Sequence, residues 1–399
     1  MASSLLSSLR HSFTRPFLVR GTMSSAPSSQ MLVAVVGVGL VGSEFINQLL
    51  SIPSETSPFR LVSLTSSTRT VFTPNQPITS ASSWKSTLSQ ATEKPDYQKL
   101  TTDLAKLISP STRVALIDNT SSDDVAGMYP RWLKAGINVI TPNKKAYSGD
   151  LGLYEKILAA SKESGARFLN ESTVGAGLPV ISTLKELVAT GDKIKKIEGV
   201  FSGTMSYIFN EFSTGAADGP SFSSVVSIAR EKGYTEPHPA DDLNGFDVAR
   251  KLTILCRTIS LSPSSSSSSR TSLPSLQSFA SVQTTSLIPK PLEGIPTGDE
   301  FLSRLPEFDA DFDKMRKEAS AEGKVLRFVG VVDPVKGEVK AGLEKYPVNH
   351  PFATSLGGSD NIIMFHTERY SPRPLIIQGA GAGAAVTAMG VLGDLLKLI

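Results

Sequence analysis

The sequence predicts an α/β protein that begins with a doubly wound parallel sheet and continues into an α+β domain. Three observations support this prediction. A continuous apolar run starts at Met31 and ends in glycine, further apolar runs alternate with helical segments, and small-residue loops follow Glu171. Continuous apolar runs are typical of strands buried on both faces, and their alternation with helices indicates a parallel sheet.

The first domain is predicted at 31–172, and the final segment, 374–399, is expected to complete it. Its predicted strands are MLVAVVGVG from Met31, FRLVSLTSS, TRVALIDNTSS from Thr112 and GINVITPNKK from Gly136. Helices are predicted at about 42–50 and at 124–134. This order is typical of a sheet with helices on both faces.

The second domain, predicted at 173–373, mixes helices with separate strands. Helices are expected in PVISTLKELVATG, SYIFNEF, 223–232 and FDVARKLTILCR, and strands in IKKIEGVFSGT, VLRFVGVVD, EVKAGLEKY and NIIMFHTERY. The segment PLIIQGAGAGAAVTAMGVLGDLLKLI predicts a strand, a glycine-rich turn and a helix. A Ser/Pro-rich stretch at about 260–286 contains six consecutive serines and is expected to be a disordered surface insertion.

Composition excludes several kinds of protein. Apolar residues make up 40% and charged residues 19%, as in ordinary globular chains. The single cysteine excludes an internal disulfide framework and a cysteine-rich zinc site, and four histidines argue against a histidine-ligated metal. No run approaches about 20 apolar residues, so no membrane helix is expected. The net charge of +3 arises in the N-terminal segment, so no nucleic-acid partner is expected.

Residues 1–30 are Ser-rich, contain arginines and lack acidic residues, which resembles a mitochondrial transit peptide. A disordered tail is the alternative, as is an upstream extension with translation starting at Met23 or Met31. We expect a cytoplasmic protein. The transit-like composition of residues 1–30 makes the mitochondrial matrix the alternative location.

The first predicted strand ends in a glycine-rich turn with the pattern GxGxxG, which opens a helix. Its residues are Gly37, Val38, Gly39, Leu40, Val41 and Gly42. Between a strand and a helix, this pattern predicts a Rossmann-type dinucleotide site, because the glycines permit a tight turn and close approach to a pyrophosphate. The alternative is a tight turn without a ligand.

The end of the second strand indicates which dinucleotide is bound. A carboxylate there would bind the ribose 2′-hydroxyl of NAD. This segment, Thr65–Arg69, has no carboxylate and carries an arginine instead. It favours NADP(H) and still permits NAD(H), although Arg69 could be an ordinary surface residue.

Further polar or small residues lie where the cofactor is expected. Asn119, Thr120 and Lys144 follow the carboxyl ends of strands, where open α/β sheets bind ligands. As alternatives, Asn119 and Thr120 could be helix caps and Lys144 a surface residue. Gly379, Gly381 and Gly383 form a second glycine cluster, which could be merely a tight strand–helix turn. If the last strand returns to the first domain, the cluster could instead face the nicotinamide.

The loop GYTEPHPADDLNG and the helix after it hold the densest set of chemical groups. Glu236, Asp242, Asp247 and Lys251 fall within it, and the last two share one helix face at a spacing of four. Carboxylates suit an ammonium group of an amino acid, and a lysine can supply a proton if burial or a nearby cation lowers its pKa. The alternative is an exposed i, i+4 salt bridge.

Glu171 precedes a loop of small residues that contains Val174, Ala176 and Leu178. One carboxylate with backbone carbonyls suits a hard cation. On these residues alone, a helix entry without an ion is the preferred interpretation.

In combination, these motifs resemble the homoserine dehydrogenase family. The matching segments are VGVGLVG, DNTSS, TPNKKAYS, ESTVGAGLP, IEGVFSGTMSYIFNEF, GYTEPHPADDLNGFDVARK and IQGAGAGAAVTAMGVLGD. The length is similar to that of the short monofunctional form, without a kinase or regulatory domain. The resemblance implies reversible NAD(P)H-dependent reduction of L-aspartate 4-semialdehyde to L-homoserine, on the route to threonine, methionine and isoleucine. It also implies a homodimer.

The resemblance also implies roles for single residues. Lys251 would donate and accept the proton, Asp247 would position it and contact the substrate, and Glu236 would hold the substrate amino group. Lys144 would lie between cofactor and substrate. Glu171 and the carbonyls of Val174, Ala176 and Leu178 match the family's sodium site. Thr120, Gly233 and Gly383 match its cofactor contacts.

Two other functions remain open. A non-catalytic NADP-binding sensor would keep the glycine turn without needing the acidic cluster and Lys251. Another amino-acid semialdehyde dehydrogenase, of the phosphorylating kind, would need a cysteine thiolate. Cys256 lies in an apolar helix, which is typical of a core cysteine.

Overall fold

The computed structural model describes residues 30–53, 55–260 and 273–399, which form two β-sheets surrounded by helices. The predicted N-terminal extension, up to residue 29, and residues 261–272 of the predicted insertion lie outside the described residues. Within the described ranges, no helix is long and apolar enough to cross a membrane.

The first sheet confirms the predicted doubly wound architecture. Its order is β3-β2-β1-β4-β5-β6, and its pairings are parallel except that of β2 with β3. The strands are β1 (Gln30–Val36), β2 (Phe59–Thr65), β3 (Thr70–Phe72), β4 (Thr112–Asp118), β5 (Asn138–Ile140) and β6 (Phe168–Leu169). Strand order reverses between β1 and β4, and ligands of such sheets bind at this point.

Helices connect these strands. They are α1 (Leu40–Ser51), α2 (Trp84–Ser89), α3 (Tyr97–Ala105), α4 (Asp123–Gly127), α5 (Tyr129–Lys134), α6 (Lys145–Ser148) and α7 (Leu151–Ser164). The single helix expected at 124–134 is two short helices. Pro130 lies in the first turn of α5, and a new helix begins there because proline has no N–H to continue the preceding one.

The second sheet has the order β12-β11-β7-β9-β10-β8. Its strands are β7 (Ile194–Val200), β8 (Gln283–Thr284), β9 (Lys324–Asp333), β10 (Glu338–Pro347), β11 (Asp360–Thr367) and β12 (Leu375–Ala380). The remaining helices are α8 (Val180–Ala189), α9 (Gly203–Phe212), α10 (Phe222–Glu231), α11 (Ala240–Leu243), α12 (Phe246–Ser260), α13 (Gly298–Arg304), α14 (Asp309–Ala321), α15 (Pro351–Thr354) and α16 (Ala384–Leu396).

The final segment is divided between the two sheets. Strand β12 pairs antiparallel with β11, so the expectation that the last strand returns to the first domain is wrong. Helix α16 does return, and its Ala388, Val391 and Leu395 are buried in the core that contains β1. The glycine-rich turn between β12 and α16 therefore lies where the two domains meet.

The expected disorder at 260–286 is wrong for residues 273–286. Leu276 and Val282 are buried in the core, and residues Gln283–Thr284 form β8 beside β10. Apolar residues are spaced through the Ser/Pro-rich stretch, and their burial outweighs its composition. We call residues 273–281 the strap, because they run along α12.

Candidate active site

The glycine-rich turn has two glycines that packing requires and one that leaves space. A Cβ on Gly42 would lie 1.9 Å from the carbonyl oxygen of Gly37, and one on Gly37 would lie 2.7 Å from Thr120 Cγ2. A Cβ on Gly39 would meet nothing within 4 Å. Open space at the N-terminus of α1 is where a pyrophosphate can reach the free backbone N–H groups.

A cleft of about 410 Å³ adjoins this turn at the end of β2. Its lining includes Val38 and Ser43 from the turn and α1, and Ser66 and Arg69 from the end of β2. Lys85 of α2 also lines it. The sequence analysis missed Lys85, because no residue pattern in the Ser/Thr-rich segment links it to the glycine turn. The two cations make this cleft suitable for an anionic group.

Asp118 organises the carboxyl ends of β4 and β5. Its buried carboxylate accepts hydrogen bonds from the backbone N–H of Thr120, from the Tyr129 hydroxyl and from the Asn143 amide. Burial raises the pKa of Asp118, although these donors oppose the rise. The adjacent Asn119 has buried amide atoms with no partner in the described structure, and its Cβ lies against the glycine turn. Such an orphaned amide suits a bound ligand.

The centre of the site is one carboxylate between two lysines. Lys251 Nζ lies 2.6 Å from Asp247 Oδ2, and Lys144 Nζ lies 3.4 Å from Asp247 Oδ1. Lys251 also donates to the carbonyl oxygen of Phe201 at 2.7 Å. Lys251 is 7% exposed, whereas the side chain of Asp247 is 44% exposed. The buried ammonium therefore lies behind a carboxylate that remains open to a substrate.

These neighbours shift both ionisation equilibria. Burial lowers the pKa of Lys251 and the charge of Lys144 lowers it further, while Asp247 opposes both, and the net shift is downward. Desolvation raises the pKa of Asp247, but the two lysines outweigh it and hold that pKa well below its usual value. A lysine with a lowered pKa beside a permanent carboxylate can both release and take up a proton.

The acidic loop is held by Asp242. This carboxylate accepts hydrogen bonds from the Thr204 hydroxyl and from the backbone N–H of Glu236, each at 2.8 Å. Burial raises the pKa of Asp242 to about 6, although both hydrogen bonds lower it. The side chain of Glu236 is exposed. Asp242 therefore binds the backbone of the loop and leaves the Glu236 carboxylate open to solvent.

The second glycine cluster also reaches the lysine pair. A Cβ on Gly381 would lie 2.0 Å from the side chain of Asn361, whose amide donates to the carbonyl of Phe201 at 3.0 Å. Lys251 uses the same carbonyl. Gly383, with φ of 115°, precedes α16, and Gly233, with φ of 70°, is an exposed turn residue.

Glu171 is separate from this group. Its buried carboxylate accepts hydrogen bonds from the backbone N–H groups of Ile181 and Ser182 and contacts Lys397 Nζ at 3.2 Å. The following loop has left-handed residues at Gly175 and Ala176, with φ of 76° and 53°. No group of three or more His, Cys, Asp or Glu side chains positioned for a metal occurs in the described ranges.

Comparisons with known proteins agree with the motifs. A family model described as "Homoserine dehydrogenase" matches residues 179–396, and one described as "Homoserine dehydrogenase, NAD binding domain" matches 37–171. The homoserine dehydrogenase of Saccharomyces cerevisiae is 48% identical over 367 residues, covering 92% of this chain and 97% of that protein. That of Schizosaccharomyces pombe is 48% identical over 382 residues, covering 94% and 97%.

Solved structures share the fold. A Candida auris protein of unknown function has a TM-score of 0.83 and 44% identity, covering 93% of this chain and 98% of that one. A hyperthermophilic archaeal homoserine dehydrogenase in complex with NADPH has a TM-score of 0.65 over 92% of this chain and 97% of that one. Its identity is 21%, so it supports the fold alone.

The glycine turn can be tested with a matched pair of substitutions. Gly42→Ala places a methyl group 1.9 Å from the Gly37 carbonyl, so we expect destabilisation by about 1–3 kcal/mol. Gly39→Ala points into open space, so we expect a wild-type melting temperature but about tenfold weaker NADPH binding, equivalent to about 1.4 kcal/mol. Thermal unfolding and fluorescence titration measure the two effects. Unchanged NADPH affinity in Gly39→Ala would contradict binding of the cofactor at this turn.

Proposed function

Since the chain belongs to the homoserine dehydrogenase family, and so is an NAD(P)-dependent oxidoreductase, we propose that Lys251 is its proton donor and acceptor. The reaction is the reversible reduction of L-aspartate 4-semialdehyde to L-homoserine, in amino-acid biosynthesis. One observation carries the proposal: the buried ammonium of Lys251 lies between Asp247 and the Phe201 carbonyl at the junction of the two domains.

When bound, a nicotinamide cofactor would supply the hydride for the aldehyde carbon. The protein must supply the proton for the carbonyl oxygen. Lys251 releases a proton to that oxygen during reduction, and as a neutral amine it takes the proton back from the hydroxyl group during oxidation. Its lowered pKa supports both directions. Asp247 holds Lys251 through one oxygen and Lys144 through the other. Lys144 is partly exposed and can return a proton to the group from solvent.

We assign the substrate's ammonium group to the acidic loop. Glu236 presents an exposed carboxylate there, and Asp242 contributes a second negative charge while it holds the loop backbone. Asp247 then contacts the reacting end of the substrate beside Lys251. The arrangement suits an amino acid that carries its carbonyl at the far end of the side chain.

We propose that NADP(H) is preferred over NAD(H). Arg69 and Lys85 both line the cleft at the end of β2. A ribose 2′-phosphate needs such cations, whereas the 2′-hydroxyl of NAD is recognised by a carboxylate. The open position at Gly39 and the orphaned amide of Asn119 support binding of the rest of the cofactor.

A sodium ion beside Glu171 is also a proposal. Lys397 is shared between Glu171 and Asp394, so these three residues carry one net negative charge, which a monovalent cation neutralises. The carbonyls of Val174, Ala176 and Leu178 are oxygen donors of the kind that hard cations prefer. The left-handed Ala176 is a strained position of the kind that surrounding structure must maintain. The ion would supply structural support to this loop.

Two further proposals concern assembly and location. We propose a homodimer, supported by β12, whose Ile376 is 42% exposed and which is an edge strand of the second sheet in the part of the chain that the structure describes. We also propose a cytoplasmic location, with the mitochondrial matrix as the alternative suggested by the acid-free N-terminal segment.

Substitution of Lys251 tests the proton assignment. We expect Lys251→Ala to lower kcat by about 100-fold or more while NADPH binding persists, because only the proton source is removed. The assay follows NADPH absorbance with L-aspartate 4-semialdehyde. The matched control is Lys145→Ala, because Lys145 is the neighbour of Lys144 but pairs with exposed Asp123.

The outcomes separate the alternatives. If Lys251→Ala leaves turnover unaffected, Lys144 would be assigned as the proton donor and acceptor instead. A folded wild type that binds NADPH without turning over any amino-acid semialdehyde would favour the non-catalytic sensor.

The cofactor preference depends on the cleft cations. We expect Arg69→Ala and Lys85→Ala each to raise KM for NADPH by about tenfold and to leave KM for NADH unchanged, because each loses one charged contact with the 2′-phosphate. Lys94→Ala is the control, since Lys94 is an exposed lysine of the same segment that does not line the cleft. Equal effects on both cofactors would contradict the assignment.

Asp242 predicts a pH dependence. With its pKa raised to about 6, the carboxylate is ionised above that pH and protonated below it. We therefore expect kcat/KM for the amino-acid substrate to fall as the pH drops through about 6, because a protonated Asp242 attracts the substrate ammonium less strongly. Asp242→Asn should abolish this decrease in kcat/KM, and Asp241→Asn, at an exposed neighbour, should retain it. If the decrease in kcat/KM persists in Asp242→Asn, it arises from the titration of another group.

A further inference from the structure

Arg257 is a buried cation whose hydrogen-bond partners are backbone carbonyls rather than a carboxylate. It lies on α12, six residues after Lys251, and is 5% exposed. Its Nη1 donates to the carbonyl of Tyr147 at 2.8 Å. Its Nη2 lies 2.8 Å from the carbonyl oxygen of Gly149 and 3.0 and 3.2 Å from those of Leu276 and Gln277. Its buried Nε has no hydrogen-bond partner among the described residues, so the cost of burying this charge is not fully offset and the position calls for an explanation.

Two of these carbonyls belong to the turn that starts at Lys144. The backbone N–H groups of Tyr147 and Ser148 donate to the carbonyl of Lys144 at 3.0 and 2.9 Å, and the Ser148 hydroxyl donates to it at 2.8 Å. This closed turn behaves as one unit with Lys144 at its start. A bond from Arg257 to its far end therefore determines where Lys144 lies relative to α12.

The other two carbonyls belong to the strap. The Gln277 carbonyl also accepts the N–H of Leu151, at the start of α7, at 3.0 Å. Phe279 lies under the Arg250 guanidinium, 3.5 Å from ring centre to Cζ, and packs edge-on against Phe246. The strap thus touches α12 on both sides of Lys251 in sequence, and its carbonyls accept from the same Arg257 nitrogen as the Gly149 carbonyl of the Lys144 turn.

We propose that Arg257 is a positioning residue for proton transfer, which holds the Lys144 turn against the helix that carries Asp247 and Lys251. The inference rests on the proposed role of Lys251. Arginine suits this position because its planar fork can serve several carbonyls at once, whereas a lysine ammonium is a single point of charge. Arg257 does not line the cleft beside the glycine turn, so its substitution should leave the contacts of Arg69 and Lys85 in that cleft intact.

The proposal predicts a change in the titration of Lys251. The charged groups that act on Lys251 are Asp247, Lys144 and Asp242, and Lys144 is the one that Arg257 positions. The groups that face Arg257 itself are Tyr154, Cys256, Asp150 and Glu155. If the Lys144 turn is released, Lys144 lowers the pKa of Lys251 less. Oxidation of homoserine needs neutral Lys251, so its rise with pH should occur at higher pH.

Arg257→Met, which keeps much of the side-chain volume, tests this in the full-length enzyme. We expect kcat to fall about tenfold to a hundredfold, the typical cost of misplacing reacting groups by about 1 Å. The pH profile of homoserine oxidation should move to higher pH. Lys144→Met should shift the profile in the same direction. The double variant should be no worse than Lys144→Met alone, because both changes act through one contact.

Arg327→Met is the matched control. Arg327 is also buried on backbone carbonyls, those of Phe209, Ser213, Leu326 and Phe352, and none of these belongs to the Lys144 turn or to the strap. We expect it to lower the melting temperature without moving the pH profile. If Arg257→Met does not fold, Arg257→Lys carries the test, with a smaller shift in the same direction.

An unshifted profile in the folded Arg257 variants, or effects that add to those of Lys144→Met, would overturn the proposal and leave Arg257 a purely structural residue. Failure of the proposed function looks different, because Lys251→Ala would then retain turnover. A large loss in Lys251→Ala combined with an unshifted Arg257→Met profile would reject only the role of Arg257.

Discussion

One carboxylate holds the reacting centre together. Asp247 contacts Lys251 of its own helix and Lys144 of the first domain, so a single negative charge is shared by two positive charges from different parts of the chain. A buried ammonium without such a partner would lose its proton or unfold the site. Burial lowers the pKa of Lys251, and the charge of Lys144 lowers it further against the opposing effect of Asp247. The contact between Asp247 and Lys144 also links the domain with the dinucleotide turn to the domain with the acidic loop.

Glycine residues allow the parts of the chain that meet at this junction to approach each other closely. Gly37 and Gly42 let the first strand, the first helix and Thr120 approach to within van der Waals distance. On the other side, Gly381 lets Asn361 reach the Phe201 carbonyl, to which Lys251 also donates. Asn361 of β11, against which Gly381 packs, and the helix that bears Lys251 therefore share one carbonyl oxygen. Side chains at these glycines would separate the parts that the reaction needs together.

Contacts outside the lysine–carboxylate group also hold α12 in place. Arg257 binds carbonyls of the Lys144 turn and of the strap, and Phe279 of the strap packs on Arg250 and Phe246 of the same helix. The groups that bind Arg257 are backbone carbonyls, which do not titrate, so these hydrogen bonds do not depend on the ionisation of a partner side chain. The acidic loop is fixed by a titrating group instead, because Asp242 accepts the backbone N–H of Glu236.

The sequence by itself determined the doubly wound sheet, the glycine turn and the helix that carries Asp247 and Lys251. These features depend on local patterns, namely apolar runs, glycine spacing and a spacing of four on one helix. It could not determine that Lys144 meets Asp247, that Lys85 lines the cofactor cleft, or that Arg257 binds the Lys144 turn. Nor could it show that the Ser/Pro-rich residues 273–286 are packed, or that β12 joins the second sheet. Those outcomes rest on contacts between residues far apart in the chain, whose energies exist only once the tertiary structure brings them together.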